Sequence, residues 1–222
     1  FTATSEVEVD VGSVKAENII ICVDKLKTEI DEELSKKYYH WQTYLAISEP
    51  LSKKEMKSLF PKGELMCWDT TLNFLHYRPV EGNRLLVGGS SQWTAYYPER
   101  IYSSSVISSF IKRLKSNFPE IKDVEFPYYW SGLMDVTQDI TPIADYDQKN
   151  KSIQYALGCI GLNWAAFCGD YIARRVINPK NTEDLSIFLG ADRKFFVPSW
   201  FQRFFGKRIS FLISHARQQL LD

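Results

Sequence analysis

The chain has 222 residues, 45% hydrophobic and 14% aromatic, enough to bury a core as one domain or two small ones and too apolar for a disordered segment. Lys plus Arg and Asp plus Glu both number 27, so no bulk field draws the protein to nucleic acid or an anionic membrane, and any charge-guided binding is local. The four cysteines (Cys22, Cys67, Cys159, Cys168) form no C-x-x-C pair or Cys/His cluster, which argues against zinc and fits reduced core thiols of a cytoplasmic protein.

No uncharged apolar run reaches the roughly 20 residues of a membrane span, and Phe1-Thr2-Ala3-Thr4 is no signal sequence. The chain starts without Met and reads as cut from something longer. Glu6 to Val11 alternates Glu and Val, Gly12-Ser13 turns, and Asn18 to Val23 is an Ile-rich run suited to a strand buried on both faces. Asp31 to Lys37 is charged and predicts a short helix or loop. Tyr39 to Ser48 alternates, with Trp41, Thr43, Leu45 and Ile47 on one face and Gln42, Tyr44, Ala46 and Ser48 on the other, as in a half-buried strand. Pro50-Leu51-Ser52 opens a helix through Leu59 with Ser52 as N-cap, and Pro61-Lys62-Gly63 ends it.

Asn73 to Gly89 reads N-F-L-H-Y-R-P-V-E-G-N-R-L-L-V-G-G, two alternating runs around a Glu81-Gly82-Asn83 reversal, and predicts a β-hairpin. It carries Tyr77 and Arg78, a phenol beside a permanent cation. A guanidinium grips a planar anion through two hydrogen bonds, so Arg78 is either a clamp for a carboxylate or polar head, or a strand arginine paired at the surface. The pleat sends Tyr77 and Arg78 to opposite faces, so only one of them meets a ligand. His76 shares the Arg78 side and reads better as a structural histidine.

Pro98 to Phe118 holds Ile107, Phe110, Ile111, Leu114 and Phe118 at helical spacing. Strands are expected at Ile121 to Trp130, around Leu133 to Thr137, and at Ser152 to Leu157. Gly161 to Ile177 is apolar nearly all round and predicts a helix buried against its neighbours, its N-terminus packed inside. Asn178 to Asp222 is a tail whose Ile209, Leu212, Ile213, Ala216 and Leu220 make a second amphipathic stripe. Asp135 and Asp139 have no metal spacing and suit turn or sheet-end positions.

Four segments in order, within Val7 to Ile177, carry a family resemblance. Val14 to Asp24 looks like "G-x-v-x-A-x-x-v-v-x-A-x-G", Ser48-Glu49-Pro50-Leu51 like T-E-P-L, and the hairpin like "Y-x-R…D-x-R-L-L-x-G-G". Trp130 to Pro142 and Ala156 to Gly161 look like "W-x-G-x-x-D-x-T-x-D-x-x-P" and "G-x-x-G-x-G". Together they resemble the C-terminal half of the FAD-dependent amino-acid and amine oxidases: D-amino-acid, glycine and sarcosine oxidases and, through the Phe- and Arg-rich tail, γ-glutamylputrescine oxidoreductase.

The resemblance implies an α+β fold: a large, mostly antiparallel sheet flanked by helices, the substrate domain of the D-amino-acid-oxidase-like fold, with remnants of the FAD domain. It divides the chain into strands leading out of the FAD domain (1–37), the substrate-binding domain (38–139), a strand and helix closing the FAD site (140–178) and the tail (179–222). Oxidation of a C–N bond in an amino acid or amine by hydride transfer to flavin is the implied reaction. Substrate would meet Tyr77, Arg78 and Trp130, although a large strand aromatic such as Trp130 is more often core. Flavin would meet Cys22, Val23, Asp24, Pro142, Gly158, Cys159, Ile160, Gly161, Leu162 and Asn163, with a helix start near Gly161 aimed at the ring edge that gathers negative charge.

Departures matter as well. G-x-G-x-x-G, which holds the FAD pyrophosphate, is absent, so FAD binding is expected to need an N-terminal half. No cysteine stands at Gly132-Leu133-Met134, so the FAD is expected to be non-covalent, and no lysine stands near Leu86, which leaves the electron acceptor open. Asp24 and Asn163 replace residues usual in the family. The rival reading is a non-catalytic ligand-binding or scaffold domain that keeps the fold without flavin. A cysteine-based redox protein lacks any paired or activated thiol.

Overall fold

The structure, a computed structural model, describes residues 5–9, 12–63, 65–69, 75–91, 96 and 99–221. Val11, Asn73, Phe74 and Pro98, which belong to predicted elements, lie outside the described residues, and so does the side chain of Leu220. The fold is mixed, with antiparallel strands and flanking helices. The chain forms two compact units: Phe1–Tyr39 with Met134–Ser214, and His40–Leu133 with His215–Asp222.

The first unit holds the hairpin β1 (Ser5–Val9) and β2 (Gly12–Ala16), and a three-stranded sheet of order β3-β10-β9. In that sheet β3 (Ile19–Ile21) runs parallel to β10 (Ile153–Leu157), and β9 (Ile143–Tyr146) runs antiparallel to it. One face of the sheet sends Ile143, Tyr155 and Leu157 against Leu26, Leu34 and Tyr38, with Leu34 on the short helix α1 (Glu32–Ser35). The other packs Ala144 against Cys168, Tyr171 and Ile172 of α4 (Gly161–Ile177) and against Leu189 of α5 (Ser186–Leu189).

Three expectations of burial fail here. β3 is an edge strand that pairs with β10 alone among the described strands, so Ile20 and Val23 are exposed and not buried on both faces. Helix α4 has the predicted bounds but buries only one narrow face, while Leu162, Trp164, Phe167 and Ile177 are exposed. Its N-terminus opens outward, because Gly161, Leu162 and Asn163 are all exposed. The four cysteines are free as expected, yet only Cys168 is buried and Cys22 is exposed.

The tail helix α6 (Ser199–Leu221) is broken at Gly206, whose φ of 79° leaves the helical range. Its first unit portion buries Ser210, Phe211 and Ser214, whereas Ile209 and Ile213 of the predicted stripe are exposed. Phe211 packs on Tyr39 with ring centroids 5.3 Å apart. Both inward serines are satisfied, Ser210 Oγ donating to Gly206 O and Ser214 Oγ to Gln138 O.

The second unit carries a five-stranded sheet of order β5-β6-β7-β4-β8, formed by β4 (Tyr38–Ile47), β5 (Cys67–Trp68), β6 (His76–Val80), β7 (Arg84–Gly89) and β8 (Tyr128–Thr137). The hairpin β6-β7 turns through Gly82 and Asn83, both left-handed at φ 75° and 56°. Before it, α2 (Lys53–Leu59) begins in a reciprocal capping box between Ser52 and Glu55. Helix α3 (Ser104–Asn117) lays Val106, Ile107, Phe110 and Leu114 on Tyr44, Ala46, Leu85 and Val87. The core face of β4 is therefore the Gln42, Tyr44, Ala46 side.

Where separate strands were expected at 121–130 and 133–137, there is one. Pro119 opens a 3-10 turn that buries Ile121, and Pro127 can donate nothing to a ladder, so β8 starts only at Tyr128. It runs through Gly132, whose carbonyl accepts from Gln42 Nε2 at 2.8 Å. The short β9 had no separate expectation. Its inward Asp145 is held by an N–H from Ala191 at 2.8 Å.

Candidate functional site

The three-stranded sheet gathers every predicted flavin-contacting residue at one edge. Because β3 and β10 are parallel, Cys22-Val23-Asp24 and Gly158-Cys159-Ile160-Gly161 leave from the same, carboxyl ends of their strands. Pro142 precedes β9, and Ile143 pairs with Leu157, so the start of β9 lies there too. Ligands of open sheets with parallel strands sit outside such carboxyl ends.

Gly158 takes φ 65°, and its missing side chain matters, since a Cβ there would meet the buried Tyr38 ring at 3.0 Å. Ile160 N donates to Gly158 O at 3.0 Å and tightens the turn that aims α4. Gly161 follows at φ 77°, with open space around the position a Cβ would take. Ile160, the N-cap, offers no side-chain acceptor, and the first turn holds no acid. The positive end of a 17-residue helix is thus uncapped by any side chain and exposed, a donor set that fits the anionic edge of a planar ring.

Asp24 is engaged within the protein. Its Oδ1 accepts the N–H of Asp135 at 2.9 Å, while Asp135 Oδ2 accepts the N–H of Leu26 at 3.0 Å, so two carboxylates staple the loop after β3. Pro142 is buried, and its carbonyl accepts from Arg193 Nη1 at 3.2 Å. Three thiols meet at this edge, which spacing alone did not foretell. Cys168 donates a hydrogen bond that holds Cys159 below its ordinary value against the opposing effect of burial, and the same bond with burial raises Cys168. Burial, then the charge of Cys159, raises Cys22.

In the second unit the sheet separates the predicted substrate residues. Tyr77 turns to the core, packed 5.8 Å from Phe60 and 5.5 Å from Phe118 by ring centroids. Burial pushes its phenol up to about 12, helped by Cys67. This removes Tyr77 from a position open to ligand, as the pleat required of one of the pair. Arg78 is exposed on the opposite face and, among the described residues, has no hydrogen bond or ion pair.

His76 shares that face, directly over Gly88, where a Cβ would come within 2.1 Å of its Nε2. Burial, then the charge of Arg78, lowers its pKa, so it is neutral near pH 7. Thr43 and Leu45 line the face from β4: Leu45 pairs with Gly88, and Thr43 Oγ1 reaches Gly132 O at 3.4 Å. Alternation from Gly132 past the buried Ser131 puts the partly exposed Trp130 on this side as well. The sheet therefore assembles Arg78, His76 and Trp130 on one surface. Register decides this, and register across β6-β7-β4-β8 is not visible in any one strand.

Residues 3–175 match the family described as FAD dependent oxidoreductase. The chain is 26% identical to a probable oxidoreductase, OrdL, of Haemophilus influenzae over 191 residues, 83% of this chain and 41% of that protein. It is 28% identical to the γ-glutamylputrescine oxidoreductase of Escherichia coli over 153 residues, 68% of this chain and 34% of that one. Glycine oxidase from Geobacillus kaustophilus has the same fold over 84% of this chain and 48% of its own, with a TM-score of 0.66 at 20% identity. The chain spans about half the length of that solved structure and less of the two curated relatives. Motif order, the open helix end and a match over most of the residues agree: the chain belongs to the DAO family of FAD-dependent oxidoreductases.

Proposed function

We propose that this chain is the substrate-binding part of an FAD-dependent oxidoreductase that oxidises a C–N bond of an amino acid or amine. The observation that carries the reading is the uncapped, exposed start of α4 at Gly161, inside the family-matched segment and beside every other predicted flavin contact. Non-covalent FAD, when bound, supplies the two-electron acceptor for the substrate's hydride. The α4 N-terminus, with Gly161 allowing close backbone approach, stabilises negative charge on the ring edge. Arg78 grips the substrate's carboxylate or polar head, and its exposure, with no hydrogen bond or ion pair among the described residues, supports that role over a surface ion pair. Trp130 walls the same surface, and neutral His76 positions without competing for the anion. The FAD phosphates are assigned to a G-x-G-x-x-G strand-turn-helix in an N-terminal half. Four free thiols suit a cytoplasmic setting.

Two results are expected. The 222-residue chain alone loses FAD on gel filtration while the longer protein keeps it, because ring-edge contacts lack the anion site. A flavin spectrum that stays with the isolated chain would overturn the assignment of the phosphates. In the longer protein, Arg78→Ala raises KM for an amino-acid or amine substrate at least about tenfold, the loss of a charge-assisted contact, with flavin content unchanged. Equal kinetics remove Arg78 from the substrate. Absence of flavin and of amine-dependent flavin bleaching in the longer protein would favour a flavin-free ligand-binding domain.

A further inference from the structure

We propose that helix α6 is an interfacial anchor that lies on an anionic phospholipid surface. The inference stands apart from the flavin site, since residues beyond 175 lie outside the family match. Its starting point is a helix with bulky apolar side chains on its outer as well as its inner side, where Phe211 is buried. Ser210 and Ser214 face inward, while Trp200, Phe204, Phe205, Ile209 and Ile213 face out, Phe204 at 80% exposure. Five bulky apolar side chains on one helix are far beyond the scattered singles of an ordinary surface. Phe201 stacks under Phe205 at 4.4 Å between centroids and stiffens the aromatic cluster. The break at Gly206 lets the segments on either side of it present their apolar residues.

Charge selects the occupant. Between Arg193 and Leu221 there are six Lys or Arg and no Asp or Glu, in a protein of zero net charge. Arg193 and Lys207 are used internally, Lys207 Nζ donating to Ser35 O and Tyr38 O. Lys194 and Arg203 are exposed beside the aromatics. Glu33, the acid that Arg203 influences, is bound by Lys36 at 2.6 Å. A cavity of about 710 Å³ opens alongside, with Lys194 and Arg203 among its cations, Glu33 and its partner Lys36 in its lining, and Tyr39, Phe195 and Val197 among its apolar walls, room for a phosphate headgroup. Trp and Phe beside Lys and Arg, with no acid on the helix itself, is the pattern of a helix lying in a lipid interface. No helix among the described residues is long and apolar enough to cross a membrane, so the contact is peripheral.

The test is co-sedimentation of the protein expressed from its complete reading frame with phosphatidylcholine vesicles, with and without phosphatidylglycerol. Binding is expected only with phosphatidylglycerol and is expected to weaken as salt rises. Phe204→Glu with Phe205→Glu lowers the bound fraction more than about tenfold, and Arg203→Glu lowers it at least about fivefold, the effect of one basic residue near an anionic surface. Phe188→Glu, at an equally exposed site on α5, leaves binding unchanged. Circular dichroism and melting temperature of each variant match the parent, since every altered side chain is exposed. No vesicle binding by the parent overturns the proposal and means the face is covered by protein. A shift in native mass in the Phe204 and Phe205 variant without parental vesicle binding assigns the face to a second copy instead. Equal loss in the Phe188 variant overturns it in favour of general stickiness.

Discussion

Replacing Arg193 with methionine is expected to cost the first unit about 3 kcal/mol, the lower end for breaking a buried ion pair because Asp139 keeps part of its surface in water. The side chain of Arg193 is 8% exposed. Its Nε and Nη2 each reach an oxygen of Asp139 at 2.9 Å, and its remaining hydrogens go to the carbonyls of Thr141, Pro142 and Gly190. One guanidinium thus ties the loop before β9 to the segment after α5, and methionine would leave a carboxylate and three carbonyls short of donors. A fall in melting temperature of roughly 10 °C is expected for a chain this size, with Arg193→Lys intermediate because an ammonium cannot make the bidentate grip. Acid should expose the same pair. Burial alone would raise Asp139, but the hydrogen bonds and charge of Arg193, with Thr137 and Thr141, outweigh it and hold the carboxyl below its ordinary value. A lowered folded pKa contributes stability that is present above the unfolded value and lost as pH falls through the folded one. Below about pH 4 the parent therefore loses stability that Arg193→Met never had, and the two melting curves converge. Parallel curves would mean that the pair contributes nothing.

The second large effect is expected at Gly161. In the longer protein, Gly161→Val should cut amine-dependent flavin reduction about a hundredfold, the scale of a shift near 1 Å at a reacting site. A φ of 77° is strained for any branched residue however open the space, so a fall of about 1 to 2 kcal/mol should accompany the loss. Gly161→Asn separates the two causes. Asparagine tolerates the left-handed conformation, so it should restore the melting temperature while its side chain still crowds the helix opening. Stability and rate returning together would mean that this glycine serves the backbone alone.

Local chemistry was legible, and partners were not. Ser52 and Glu55 announce their capping box, Glu81-Gly82-Asn83 its hairpin, and Gly161–Ile177 its helix, because each depends on neighbours in sequence. The errors of burial share one cause: an apolar residue was read as buried. Ile20, Leu162, Trp164 and Ile209 are apolar and exposed, and composition cannot say whether a surface is covered by this chain or by something else. At the site, motif order named residues expected to contact flavin, and these lie at one sheet edge. Parity could say that Tyr77 and Arg78 part company, but only α3 packing on the Tyr77 side decides which goes inward. The meeting of Cys22, Cys159 and Cys168 follows from parallel pairing of β3 with β10, which leaves no periodic trace.

The division of the chain has a kinetic consequence. The first unit is discontinuous: Ile19 must find Ile153 before its sheet exists, with the whole stretch His40–Leu133 made in between. A parallel pairing so distant in sequence closes a long loop and is slow. The inserted stretch can collapse first, and β4 and β8 are neighbours in its sheet, with Gln42 bonded to Gly132. That contact draws Tyr39 and Met134 together and shortens the loop that β3 and β10 have left to close. During synthesis, β1 to β3 would wait unpaired with β10 until the ribosome has passed Leu157, and the time spent waiting is when the Ile-rich strand is open to aggregation.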